Sequence, residues 1–362
     1  MTSKTISKGI LRAVGVILGI SLLLFFLFKI SPVLIYITIA AVTSLIGRPI
    51  VIFLCNRLKF NNTIAVIITM LFLIGILAGI ISLFIPLLIQ QGHNLSLLNI
   101  ETLQLNVESL YKQLIEYFGV SSTDVEQSIK NSKVFTNINF GVIPDFLNSL
   151  VAVLGNFSVG LFSVLFIAFF FLKDSKLFEE SLLVVIPKTK ERRFRNSIEK
   201  IKNLLSRYFV GLVFQILILF IIYAIVLFIF NIENAIVIAF LCALLNLIPY
   251  IGPLIGGLLM AVLTMTSNVG SDFSSVILPK TTYVMIGFVI GQLVDNFFSQ
   301  PLIFSNSVKS HPLEIFLVII IGGLLFGVTG MIIAVPGYTA LKVILKEFFA
   351  ENKIVKSLTK NL

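Results

Sequence analysis

Between Asn62 and Ile89 the chain runs for 28 residues without one charged side chain. A helix needs roughly 20 predominantly apolar residues to cross a hydrocarbon core about 30 Å thick. Residues 149–172 and 208–232 are also uncharged throughout. Runs of this kind dictate the solvent: the bilayer, for most of the chain. Charge agrees, because only 12% of residues are charged and the mean hydropathy is +1.06, against about 25% charged in an average soluble domain. The predicted fold class is an all-α polytopic membrane protein.

The formal charge of +10 would suit nucleic acid. The positive-inside rule explains it without a nucleic-acid partner. Cys55 and Cys242 lie in or beside apolar runs and form neither a disulfide framework nor a metal cluster. Lys4, Lys8 and Arg12 precede an apolar stretch that ends in Lys29-Ile30-Ser31-Pro32 without a small-x-small cleavage site, so it reads as a retained first helix rather than a signal peptide.

Helices are expected over 10–29, 32–54, 62–89, 149–172 and 208–230. These divide the chain into 1–90, three membrane helices; 91–147, an insertion; 148–172, a fourth helix; 173–207, a basic segment; 208–345, a C-terminal membrane region; and 346–362, a tail. In the insertion, three lysines against six acids leave −3. Leu103, Val107, Leu110, Leu114 and Tyr117 recur at helical spacing, which predicts a small helical domain outside the cytoplasm. In 173–207, ten Lys/Arg against five acids leave +5, and Phe194, Ile198, Ile201, Leu205 and Tyr208 step by four and three. This is a basic amphipathic helix in the cytoplasm. It either lies on an anionic membrane surface or packs on the protein's own cytoplasmic face.

Basic residues before the first helix, after the second and after the fourth place the N-terminus in the cytoplasm, and lysines from Lys342 to Lys360 place the tail there too. The apolar runs after the fifth helix are 234–249, 251–266, 281–304 and 313–341. Parity needs one of them to enter and leave on the same side. Residues 281–308 are taken as that re-entrant segment, giving about eight transmembrane helices, with 234–266 as the alternative hairpin.

Breaks concentrate in this half. Pro249-Tyr250-Ile251-Gly252-Pro253 interrupts one run, and Gly322, Gly323, Gly327, Gly330 and Pro336 interrupt another. Irregular backbone at membrane depth survives only inside protein or beside a watery cavity. In transporters such interruptions point to the binding site. The other reading of Pro249–Pro253 is an ordinary loop. Asp295 carries the second signal. A charge at the centre of a membrane helix costs about 2.5–3.5 kcal/mol on insertion scales and is functional by default. Gln292, Asp295, Asn296 and Ser299 share one helix face by spacing, expected to line a polar cavity or a subunit contact; a structural hydrogen-bond knot is the alternative. Arg48 is expected to snorkel to the interface. His311 before Pro312 reads as a turn residue, and His93 has no evident partner. Gly15/Gly19, Gly75/Gly79, Gly252/Gly256, Gly287/Gly291 and Gly323/Gly327 are GxxxG pairs that permit close helix contact. No phosphate loop, HExxH, CxxC or GxSxG motif occurs. The sequence therefore predicts no enzyme, no cofactor and no resident metal, and favours a secondary transporter over an ATP-driven pump.

The chain resembles the autoinducer-2 exporter family of bacterial membrane proteins, the PerM-like permeases. Phe169-Phe-Phe-Leu-Lys-Asp174 followed by Pro187, Tyr208 with Gly211, and Asn246-Leu-Ile-Pro-Tyr-Ile-Gly-Pro253 carry the resemblance. Asp295, Pro301, His311-Pro312 and Gly322-Gly-Leu-Leu-Phe-Gly327 through Gly330 and Pro336 continue it in order. It implies an oligomeric transporter of the bacterial cytoplasmic (inner) membrane, exporting a small polar solute such as autoinducer-2. Coupling to a proton or sodium gradient would accompany that role. The alternative is a sodium or lithium/proton antiporter. A membrane scaffold and an intramembrane enzyme are weaker readings.

Overall fold

The computed structural model describes residues 3–90, 113, 157–184, 186–268, 271–303, 308 and 310–359. The expected outer helical domain therefore lies outside the described residues, apart from residue 113. The described regular structure is entirely helical: α1 Ser3–Lys29, α2 Ser31–Arg57, α3 Asn62–Gln90, α4 Phe157–Lys173, α5 Ser175–Leu183, α6 Glu191–Ile229, α7 Ala235–Leu245, α8 Ile251–Thr266, α9 Leu278–Val294, α10 Gln300–Ile303, α11 Pro312–Phe348 and α12 Lys353–Leu358. A short 3-10 turn, Lys188–Lys190, leads into α6. π-helical turns at Phe273–Ile277 and Asp295–Ser299 flank α9.

The chain divides into two compact units. The first holds α1, α2, the start of α3, and α4. Pro32 sits in the first turn of α2, where its missing N–H costs nothing. Ala40, Val51, Leu54, Ala65, Val66, Val164, Ala168 and Leu172 form the core here. Gly160 lies against the Tyr36 ring near the start of α2, and Asn62 Nδ2 donates to the Lys173 carbonyl 3.0 Å away just past its end. The helices α2 and α4 therefore run parallel, and Arg57 and Lys173 close them at the same end. That direction matches the alternation of basic segments. Arg48 is half-buried, and its Nη1 is enclosed without a hydrogen bond among the described residues, so the snorkelling expected of it is incomplete.

The second unit is organised along α6. At about 1.5 Å per residue, the 39 residues of α6 span about 58 Å, nearly twice the hydrocarbon core. No break separates the basic segment from the apolar one. From Glu191 onward the basic stretch is thus continuous with the apolar one in a single helix. Glu179 of α5 binds this stretch through Arg195 at 3.4 Å and Lys202 at 3.3 Å.

The apolar part of α6 packs antiparallel on α9. Phe230 stacks on Tyr283 and Tyr223 on Phe288, with ring centroids 5.6 and 5.2 Å apart. Between these rings Gly287 faces Val226 and Gly291 faces Tyr223. A methyl group there would stand 2.5 and 2.6 Å from those side chains. The Gly287/Gly291 pair therefore does what small residues in membrane helices do. At Gly15, Gly19, Gly75 and Gly79 an added methyl would meet nothing within 4 Å, so those pairs mark no helix contact among the described residues.

Residues 281–308, expected to re-enter, begin within a single helix. The π-flanked helix Phe273–Ser299 is 27 residues long and sufficiently apolar to cross. The short elements are α7, with 11 residues, and α8, with 16, about 16 and 24 Å. They fold back on one another and are held by Leu241, Cys242, Met260 and Leu263 in one core. The expected crossing over 313–341 also turns back. Gly327 has φ +62° and ψ −147°, a conformation that an L side chain rarely adopts. A Cβ at Gly322 would stand 2.6 Å from the Gly330 carbonyl oxygen, and one at Gly330 would overlap the Gly322 carbonyl. Only glycine at both positions lets the two backbones touch. Thus α11 is a second helical hairpin, with its tip at Gly327.

Ion pairing closes the base of that hairpin. Lys342 is 2% exposed. Its Nζ donates to Ser310 Oγ at 2.9 Å and to Glu314 Oε2 at 3.2 Å. Tyr338 O–H donates to the same carboxylate oxygen at 2.9 Å. Glu314 keeps 35% of its side chain exposed, so the two partners are not equivalent. Removing Glu314 strands a buried ammonium, whereas removing Lys342 leaves a carboxylate that can face water. Glu314→Ala is expected to destabilise the protein by about 3 kcal/mol and Lys342→Met by less than about 1 kcal/mol, read as midpoints of thermal unfolding in detergent.

Candidate functional site

Asp295 begins the π turn at the end of α9 and is 0% exposed. A π turn carries one extra residue, so side chains five apart meet. Gln300 accordingly reaches back and donates to Asp295 Oδ2 at 2.9 Å, and to Asn296 Oδ1 at 2.9 Å. Gln215 of α6 donates to the same Asp295 Oδ2 at 3.0 Å. Asp295 Oδ1 and Ser299 Oγ are buried on the same turn, and neither finds a partner of ideal geometry among the described residues. One carboxylate oxygen is therefore saturated by two amides. The other is enclosed on the same turn as the Ser299 hydroxyl.

One turn before Asp295, Gln292 Nε2 donates to Tyr223 O–H at 2.7 Å and to Asn246 Oδ1 at 3.1 Å. Asn246 closes the end of α7 and donates through Nδ2 to the Cys242 carbonyl at 2.9 Å. Gln292 Oε1 is enclosed and makes no hydrogen bond among the described residues. Two amides and a phenol thus meet between α6, α7 and α9, with acceptor capacity left over. Hydroxyl groups of a small polar solute match that spare acceptor capacity. The carboxylate beside them matches a proton or an alkali cation. Among the described residues no group of three His, Cys, Asp or Glu could hold a metal.

The expected residues separate into three sets. Asp295, Gln292 and Asn246 converge, and Ser299 is buried beside Asp295. Asn296 does not share their buried face. It is exposed, as are Phe297 and Phe298, because the π turn rotates the helix out of the spacing expected of an α-helix. Pro249, Tyr250, Gly252 and Pro253 form the tip of the α7–α8 hairpin and the first turn of α8, beside Asn246 rather than within its hydrogen bonds. A Cβ on Gly252 would overlap the Leu245 carbonyl oxygen. Gly322, Gly323, Gly327, Gly330 and Pro336 shape the α11 hairpin and enter neither polar cluster. The two hairpins meet where Tyr250 sets its ring edge-to-face on Phe316, 5.6 Å between centroids.

Sequence reasoning missed Gln215, Tyr223 and Gln300. A signal for two of them existed. Tyr208, Gln215 and Tyr223 are the polar-tipped side chains of a wholly uncharged stretch, spaced seven and eight apart, hence on one side of α6. Gln300 needed the π turn to be known.

A protein-family model described as AI-2E family transporter matches residues 16–350. Two proteins of Bacillus subtilis (strain 168) are similar. "Putative transport protein YueF" is 26% identical over 326 residues, covering 88% of this chain and 84% of that protein. "Putative transport protein YrrI" is 27% identical over 224 residues, covering 62% of this chain. The alignment spans 60% of the length of YrrI.

Gly252 gives a direct test of the hairpin tip. Gly252→Ala drives a methyl into backbone that cannot yield and is expected to destabilise by about 1–3 kcal/mol. Gly75→Ala, with open space around it, is expected to stay within about 0.5 kcal/mol. Thermal unfolding of both variants in the same detergent separates them.

Proposed function

The chain belongs to the AI-2E family of membrane transporters, and from that premise we propose that it exports a small polar solute through the Asn246–Gln292–Tyr223 cluster, with Asp295 as the coupling group. The observation that carries this reading is the state of Asp295: fully buried, held at one oxygen by two amides, and set in a π turn of a membrane helix. A carboxylate kept in the membrane at such cost suits a group that takes up and releases a proton or cation. The solute is of the autoinducer-2 kind, small and rich in hydroxyl groups, which pairs with amides and a phenol.

The topology follows the same reading. With a cytoplasmic N-terminus, α1, α2, α3, α4, α6 and α9 cross the bilayer. The α7–α8 hairpin enters from the outside, and the α11 hairpin enters from the cytoplasm. The eight membrane elements become six crossings and two hairpins, and the lysine-rich tail stays in the cytoplasm without a parity conflict. The host membrane is the bacterial cytoplasmic membrane.

A sodium or lithium/proton antiporter is the second reading. The burial of Asp295 and Ser299 on one turn favours it, since hard cations take oxygen ligands. Purified protein in proteoliposomes tests both. Uptake of labelled autoinducer-2 without a sodium-induced internal pH change supports the exporter. A sodium-induced pH change without solute flux supports the antiporter, and neither flux supports a scaffold. Asp295→Asn is expected to lower gradient-driven transport at least about tenfold while leaving Asn246→Gln-sensitive solute binding in place. Unchanged coupling in Asp295→Asn would rule out its role.

A further inference from the structure

We propose that Tyr250 and Phe316 form the gate of this transporter, and that strained backbone at Tyr250 is the spring that opens it. Tyr250 has φ +68° and ψ −47°, and Ile251 N–H donates to the Pro249 carbonyl at 2.8 Å. A hydrogen bond across a single residue with these angles is a γ-turn of the rare, strained kind. A tyrosine pays a steric penalty there that glycine avoids. Backbone strain of this kind persists only when surrounding contacts over-determine it, and it clusters at switch regions.

The contact that holds it is known. The Tyr250 ring meets Phe316 edge-to-face, 87° between ring planes, in an arrangement that aromatic pairs favour. Phe316 belongs to the first arm of α11, so the contact joins one hairpin to the other. It is also peripheral: Tyr250 remains 39% exposed and Phe316 40% exposed, so little else buries the pair. Four residues before Tyr250, Asn246 binds Gln292. Pro249 is buried and has no N–H to tie it to a neighbour, so the tip from Asn246 to Gly252 moves as one piece. When the rings part, the turn relaxes and Asn246 leaves Gln292, opening the polar cluster. When the rings close, the cluster is rebuilt. The two hairpins are then the two sides of one gate, and the strain keeps the closed state from being too stable to leave.

This gate rests on reading the Asn246–Gln292 cluster as the transport site. Its test uses no solute, so its failure is distinct from failure of that reading. Full-length protein in lipid nanodiscs is followed by hydrogen–deuterium exchange of peptides covering 244–254. Phe316→Ala is expected to speed exchange at the tip about tenfold. Phe316→Leu, which keeps apolar bulk without a ring and guards against misfolding, is expected to speed it about threefold. Adding Tyr250→Gly to Phe316→Ala relieves the turn and is expected to restore exchange to within about twofold of the parent. Tip exchange unchanged in both Phe316 variants overturns the gate. Exchange that stays fast in the Tyr250→Gly double variant overturns the spring.

Discussion

Lipid offers a peptide group no hydrogen bond, and each unpaired N–H or C=O in the hydrocarbon core costs several kcal/mol. This constraint organises the C-terminal half of the protein. Two hairpin tips, one of them bounded by prolines, and two π turns interrupt helices within it; the tip at Gly327 stands exposed, whereas the others are covered in identifiable ways. The Asn246 side chain covers the Cys242 carbonyl at the end of α7. Asp272 does the same work at the other side of the α8–α9 connection, where its carboxylate accepts from the Ser275 amide at 2.7 Å. At Gly322 and Gly330 the backbones are pressed so closely that no side chain fits between them. Near these interruptions Gln292 keeps spare hydrogen-bonding capacity.

The long helix α6 makes that enclosure possible. Its apolar part supplies Tyr208 and Leu212 to the core around the α11 hairpin, and Leu219, Tyr223 and Leu227 to the core around α7, α8 and α9. One straight element thus serves both hairpins, and the same element carries the basic stretch braced by Glu179. A movement of either hairpin is a movement against α6. Gly211, which faces Ile303, and Gly287 and Gly291 on the opposing helix keep that contact close.

Much of this was legible in the sequence. Uncharged runs, basic flanks and glycine-proline breaks revealed the membrane class, the frame of helices and the half of the chain that holds the irregular backbone. Asp295 stood out because a buried charge in lipid is costly, and Asn246 because it preceded the proline-bounded bend. Other features were not legible for physical reasons. Hydropathy registers apolar length but not direction, so 313–341 read as a crossing although Gly327 reverses it. Four polar residues at helical spacing read as one face, since nothing in composition distinguishes an α turn from a π turn. Gln215 and Gln300 escaped notice because an amide is cheap enough in a membrane helix to pass as background until its partner is located.

The π turn at Asp295–Ser299 has a bearing on how this family of chains can vary. Such a turn is one residue more than regular winding needs. Losing any single residue between Asp295 and Gln300 would restore regular winding and change which side chains follow Asp295 on its face. The site is therefore specified by a count as well as by side chains. Tolerance of substitution at the outward-facing Phe297 and Phe298 should coexist with intolerance of insertion or deletion at the same two positions.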